Sequence, residues 1–257
     1  MKKDTRLDEI VKICERSGTV TINSLAQSLG VSEITIRRDL SLLENLRLVK
    51  REKKGVSAQE SQSIQDLLSY HIEAEYHKKT EQKMRIAKKA VSMIQPGETV
   101  IFDSGSTLYY MIQALPENIP IRAVCYGLQI AHMLNTKRLL QLILIGGSYQ
   151  KEMDMFESFA NEEVLKIIRA QKAFISAFGI HKQAGLTSGS FFASSIRKKI
   201  ISSSEKVYVL ADSSKFGVIE HAHFADLQEI DAFITDSGIS DEYVTLFQSM
   251  DIPIFTA

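Results

Sequence analysis

Leu7, Ile10, Val11 and Cys14 recur at three- and four-residue intervals, which predicts a helix over 4–16 that Gly18 ends. Thr21-Ile22-Asn23-Ser24 opens a second, short helix whose Leu25, Ala26 and Leu29 face inward and which Gly30 closes. A tight turn at Val31-Ser32 follows. The Ser32 hydroxyl is suited to accept from an orphan backbone N–H, so it caps a third helix from Glu33 to about Asn45. Two helices joined by a short turn containing glycine make a helix-turn-helix. Residues 48–56 read as a small basic hairpin, which would complete a winged helix-turn-helix; the competing reading is a helical hairpin with solvated arginines.

The third helix has two unlike faces. With Ile36, Leu40 and Leu43 on the core stripe, Arg38 points away from the core, Ser41 lies near it, and Thr35 and Arg37 take the flanks. Arginine can bridge guanine O6 and N7 or grip phosphates. Ser32, Thr35, Arg38 and Ser41 are therefore candidates for the reading face. Arg37, Lys50, Arg51, Lys53 and Lys54 are candidates for the DNA backbone.

From about residue 80 the pattern changes to α/β. Ile86, Ala90 and Ile94 mark an amphipathic helix stopped by Pro96-Gly97. Short apolar runs at 99–102, 121–125, 140–145, 173–177, 207–211 and 232–235 are each compatible with a buried strand. Helical patterns fall at 107–115, 127–135, 159–169, 191–203 and 240–249. Such alternation predicts a mostly parallel sheet with helices on both faces. The expected organisation is residues 1–57 as the winged helix-turn-helix, 58–78 as a polar linker and connecting helix (helical over 64–76), and 79–257 as the α/β domain.

Composition sharpens this. Of 257 residues, 31 are Lys or Arg and 31 Asp or Glu, a net charge of zero. Residues 1–59 nevertheless hold 12 basic against 8 acidic side chains, and the rest is mildly acidic. A basic end on an acidic body points weakly to nucleic acid. No stretch of about 18 apolar residues and no signal-peptide pattern is present, so the expected setting is cytoplasmic, without a membrane partner. Cys14 and Cys125 form no CxxC. His221-Ala222-His223 has no third ligand nearby, so neither metal nor cofactor is expected. Walker A and GxGxxG motifs are absent.

Asp103-Ser104-Gly105-Ser106-Thr107 follows a strand and opens a helix. Glycine admits close approach, Ser and Thr add hydroxyls, and a helix N-terminus favours an anion such as phosphate. An ordinary capped helix start fits the same residues. Gly146-Gly147-Ser148 and Asp212-Ser213-Ser214-Lys215-Phe216-Gly217 stand at comparable strand ends. The candidate effector residues are Asp103, Ser104, Gly105, Ser106, Thr107, Gly146, Gly147 and Lys215.

The run Val31-Ser32-Glu33-Ile34-Thr35-Ile36-Arg37-Arg38-Asp39-Leu40 resembles the N-terminal signature of the DeoR family of bacterial regulators. The segments 101–107, 145–147 and 210–217 resemble its effector domain, which is related to sugar-phosphate isomerases. The chain departs from the family pattern at Arg47, where glycine is usual, at Lys53-Lys54-Gly55-Val56, where the wing commonly reads His-Gly-Gly-Ala, and at Ser106, commonly Thr. The resemblance implies a repressor that binds operator DNA as a homo-oligomer, dimer or tetramer, under control of a phosphorylated sugar.

Ribose-5-phosphate isomerases carry aspartates in a Gly-Ala-Asp-Glu loop and a glutamate before a late helix. Here residues 175–180 and 186–196 contain no acid. Moving a proton between neighbouring carbons needs a positioned base, so binding without turnover is expected. The alternative is an isomerase-like enzyme with a fused DNA-binding domain; a third reading is a constitutive DNA binder with a vestigial sensor.

Overall fold

The computed structural model describes residues 3–45, 49–52, 55–58, 75–158 and 160–257. They fall into two compact units, divided between Tyr70 and His71.

The first unit contains α1 (Lys3–Ser17), α2 (Ile22–Leu29), α3 (Glu33–Asn45), β1 (Val49–Glu52) and β2 (Gly55–Ala58). Thr21 caps α2 by accepting the Ser24 N–H at 3.2 Å. Gly30 ends it in the left-handed region, and the Val31 N–H returns to the Ala26 carbonyl. Leu7, Ile10 and Cys14 of α1 meet Leu25 of α2, and Ile36, Leu40 and Leu43 of α3, in one core that Val49 and Val56 close from the hairpin. An ion pair ties α1 to α3: Arg6 Nε donates to the buried Asp39 carboxylate at 2.6 Å. The hairpin is antiparallel, with Lys50 opposite Ser57. Its second strand reaches back to the turn before α2, where Val20 and Val56 exchange backbone hydrogen bonds of 2.7 and 2.8 Å. Gly55 allows that approach, since a Cβ there would lie 2.4 Å from the Val20 carbonyl oxygen.

The second unit is built on a seven-stranded sheet. Its strands are β3 (Thr99–Phe102), β4 (Arg122–Cys125), β5 (Gln141–Leu144), β8 (Ala170–Ile175), β11 (Ser204–Leu210), β13 (Ala232–Thr235) and β14 (Ile254–Thr256). Their spatial order is β14-β13-β11-β8-β3-β4-β5, with every neighbouring pair parallel. Alternate residues feed two cores. Val100 and Phe102 pack with α4 (Thr80–Val91), α5 (Ser106–Ala114) and α6 (Leu128–Asn135). Ile101 packs on the other face with α7 (Ala160–Ile167), α8 (Phe191–Ser202) and α9 (Asp241–Ser249). Helices thus cover both faces, as a parallel sheet requires.

Three features differ from the sequence expectations. β5 is an edge strand, not a buried one, and Leu144 is 42% exposed. A second, antiparallel sheet forms from β9 (Gly179–His181), β10 (Gly185–Ser188) and β12 (Ala222–Ala225), in the order β12-β10-β9. A small hairpin, β6 (Ser148–Gln150) and β7 (Met155–Glu157), interrupts the α/β alternation. The expected helix over 64–76 lies almost wholly outside the described residues.

Candidate functional site

In the first unit, α3 presents the expected surface. Arg38 is exposed on the side away from Ile36, Leu40 and Leu43. Ser32 works as the N-cap: its Oγ accepts the Thr35 N–H at 3.2 Å and lies 2.9 Å from the Thr35 hydroxyl. Those two hydroxyls therefore begin as partners of each other. Arg37 is half-exposed and 3.5 Å from Glu33 one turn earlier, and Glu33 accepts from Asn23 of α2 at 3.1 Å. The first turn of α3 is thereby braced on α2. Lys50 projects from the hairpin and is exposed. The side chains of Ser41 and Arg51, and the whole of Lys53 and Lys54, lie outside what is described.

In the second unit the chain runs outward from β3 through β4 to β5, and in the other direction from β8 through β11 and β13 to β14. The order reverses between β3 and β8. Open α/β sheets bind ligands at such a switch point, beyond the carboxyl ends of the strands. The loops that leave these two strands are Asp103–Thr107 and Ser176–Phe178. They touch: a Cβ on Gly105 would stand 2.8 Å from Ser176 Oγ, and Gly105 has φ +150°, a conformation only glycine adopts comfortably. Gly105 caps α5, so the N–H groups of Ser106, Thr107 and Leu108 have no intrahelical acceptor.

The Asp103 carboxylate is engaged by the protein itself. It is fully buried and both oxygens are engaged. Oδ1 accepts from the Ser104 N–H at 2.8 Å and from the Tyr126 hydroxyl. Oδ2 accepts from the Ser176 N–H at 2.8 Å, the Ser176 hydroxyl at 3.0 Å and Arg197 Nε at 2.9 Å. Arg197, itself buried on α8, donates further to Ser188 Oγ on β10 at 3.0 Å. The Ser104 hydroxyl is also committed, donating to the Met153 carbonyl at 2.9 Å in the turn between β6 and β7. Asp103, Ser104, Ser176 and Arg197 thus form the frame of the loop, and Ser106 and Thr107, also buried, follow it as the first residues of α5.

The other predicted residues spread along the sheet edge. Gly146 and Gly147 follow β5, two strands from β3 on one side; Gly147 packs against the Glu157 carbonyl, where a Cβ would clash at 2.2 Å. Lys215 follows β11, two strands away on the other side, about 10 Å across the sheet.

Lys215 stands in a charged cluster that the sequence reading did not include. Glu75 lies 3.7 Å from Lys215 and 2.6 Å from Lys78. Lys79 lies 3.2 Å from Asp212, the first residue of the Lys215 loop beyond Ala211. The Lys83 ammonium is buried and donates to the Glu75 carbonyl at 2.6 Å. Tyr110 of α5 donates to the Tyr76 carbonyl at 2.7 Å. Burial pushes the Glu75 carboxyl up, but Lys78 and Lys215 outweigh it and hold it below its ordinary value. Asp212 is likewise lowered, as Ser214, Lys215 and Lys79 overcome its burial. Burial lowers the Lys83 ammonium, with Glu75 and Asp212 opposing. The signal that was available for Lys83 and Arg197 is positional: each lies on the inner stripe of its helix, near Ile86 and Ile200 respectively, where a charge implies a buried partner.

Cys14 packs in the core of the first unit, as read from its helix position. Burial pushes the Cys125 thiol up to about 12, which makes it inert at neutral pH. His223 faces Asp226 at 3.2 Å. Among the described residues no helix is long and apolar enough to cross a membrane.

Residues 6–62 match the DeoR-like helix-turn-helix domain and residues 78–237 the DeoR C terminal sensor domain. The deoxyribose operon repressor of Escherichia coli (strain K12) is 29% identical over 98% of both chains. The lactose phosphotransferase system repressor of Lactococcus lactis subsp. lactis is 31% identical over 96% of both. Among solved structures, the probable sor operon regulator from Shigella flexneri aligns with a TM-score of 0.44 and 10% identity, over 66% of this chain and 96% of its own. Ribose 5-phosphate isomerase A from Methanocaldococcus jannaschii aligns at 0.40 and 17%, over 53% and 54%. Two family matches that together run through most of the sequence, and relatives alike from end to end, show that the chain belongs to the DeoR family of DNA-binding transcriptional regulators.

Proposed function

We propose that this chain is an operator-binding repressor of carbohydrate catabolism whose DNA affinity is set by a phosphorylated sugar, with the DNA-reading domain at 1–57, a connector at 58–78 and the sensor at 79–257. Arg38 with Thr35 and Ser41 reads base edges, Ser32 capping the helix that carries them. Arg37, Lys50, Arg51, Lys53 and Lys54 hold the phosphates. One winged helix covers a small site, so two copies related by a two-fold axis would read repeated half-sites.

In the sensor, the N–H groups and hydroxyls of Ser106 and Thr107 receive the phosphate at the β3/β8 switch point, with Ser104 and Gly105 shaping the loop and Lys215 supplying positive charge. The observation that carries binding over turnover is Asp103. The carboxylate nearest the anion loop spends both oxygens on fixed protein donors, so it is a brace and not a proton acceptor.

Lys215 also supplies the link to DNA. Its partner Glu75, and Lys79 on Asp212, belong to the segment through which the chain arrives from the DNA-reading domain. A phosphate dianion competes with Glu75 for Lys215 and so favours a state in which that segment is released. Such a ligand shifts the equilibrium only by its difference in affinity between the two states.

The test is fluorescence anisotropy of the full chain on its selected operator, with a panel of sugar phosphates, their unphosphorylated forms and inorganic phosphate. One phosphosugar is expected to change the operator affinity and raise Tm. Ligand at 100-fold its Kd adds about 2.7 kcal/mol. Steady conversion of that sugar into an isomer would overturn the sensor reading. No response to any of them would leave constitutive DNA binding.

A further inference from the structure

Ile34 is 79% exposed in the first turn of α3. A lone apolar side chain on a surface is ordinary, but the place of this one is not. Residues four apart on a helix are about 40° from each other around its axis, so Ile34 lies on the same outward face as Arg38, one turn nearer the N-terminus. That turn is held in position by the Ser32 cap and by Glu33, which binds Asn23 of α2. Isoleucine is β-branched and a mediocre helix former, so it adds little to the helix that it leaves exposed. In a helix-turn-helix the N-terminal residues of the second helix are the ones that meet base edges. An aliphatic side chain has one partner in the major groove, the 5-methyl group of thymine.

We propose that Ile34 is a specificity-determining residue that recognises a thymine methyl in each operator half-site. Four residues of helix rise about 6 Å, and adjacent bases are about 3.4 Å apart, so this thymine lies within about two base steps of the guanine that Arg38 reads. The inference rests on α3 being the reading helix, and Arg38→Ala tests that separately through loss of operator specificity.

The experiment selects the preferred operator with the full chain and then replaces each thymine in turn by deoxyuridine, which pairs identically but lacks the methyl. One replacement per half-site is expected to weaken binding by about fourfold, the worth of one buried methyl-sized group. Ile34→Ala should bind the thymine and uracil operators equally at that position, and Ile34→Val should keep most of the preference. A scan in which every uracil is tolerated overturns the assignment. So does an Ile34→Ala protein that keeps the full methyl preference. If Ile34→Ala changes the oligomeric state by sedimentation and leaves the uracil scan unaltered, Ile34 covers a contact between copies instead, and the proposal fails. If Arg38 dependence is intact in all these cases, the failure is that of Ile34 alone.

Discussion

Two ion pairs stand beside the ends of the sheet strands, and they are built differently. Asp103 and Arg197 meet at 2.9 Å with side chains 0% and 2% exposed, amid four further donors to the carboxylate's two oxygens and Ser188 for the guanidinium. Glu75 and Lys215 meet at 3.7 Å with side chains 15% and 26% exposed. The first pair is dehydrated and satisfied on every side, so neither member can leave without stranding the other. The second is reached by water, and its members can take other partners at little cost. A sensor needs both kinds: a frame that stays the same whether or not a ligand is present, and a contact that a ligand can displace.

The largest effect should come from the frame. Arg197→Met leaves Asp103 buried without its cation, and urea unfolding at pH 7 should show a loss of about 3–5 kcal/mol. Adding Asp103→Asn to it should restore part of that loss. If Arg197→Met alone costs under about 1 kcal/mol, the two pairs do not differ in kind. Next comes Gly105→Ala, which forces a side chain onto Ser176 Oγ in a left-handed backbone. A cost of about 1–3 kcal/mol is expected, with stabilisation by the phosphosugar lost in a thermal-shift assay. Retained stabilisation would separate that loop from the ligand.

Glu75→Gln should be milder in stability, within about 1 kcal/mol of the parent, but it should bind the phosphosugar more tightly because Lys215 is no longer claimed. Unchanged or weaker sugar affinity by calorimetry would break the competition. The smallest effect is in pH. Glu75 and Asp212 titrate below their ordinary values, so they contribute stability above the usual carboxylate range and lose it as pH falls through their lowered native values. The difference in Tm between the parent and Glu75→Gln should therefore hold from neutral pH down to about pH 4 and shrink below it. A difference that instead grows in acid would reverse the assigned sign.

How much of this was readable beforehand follows from the range of the interactions involved. The third helix was legible because its evidence is local: Ile36, Leu40 and Leu43 repeat with the helical period, and Ser32 stands at the capping position. The strands of the large sheet were legible as apolar runs, but their order was not, since it depends on crossovers that no local pattern encodes. That order locates the switch point between β3 and β8, and with it the candidate ligand site. The antiparallel strands β9, β10 and β12 are three or four residues long and begin with glycine or alanine, too short to show alternation. Asp103 looked like a ligand partner because it sits in a phosphate-type loop. Its actual partner, Arg197, is 94 residues further on. The exposure of Ile34 follows from the core stripe already assigned to α3, so its place on the reading face was implicit in the helical pattern.

The paired hydrogen bonds between Val20 and Val56 carry a last consequence. They stitch the start of β2 to the turn before α2, across an approach that only glycine at 55 permits. Those two amide protons are shielded by the same event, so they should exchange with deuterium at a common rate, governed by opening of the whole first unit and not by fraying of the hairpin. Hairpin and reading helix would then meet DNA as one stiff body.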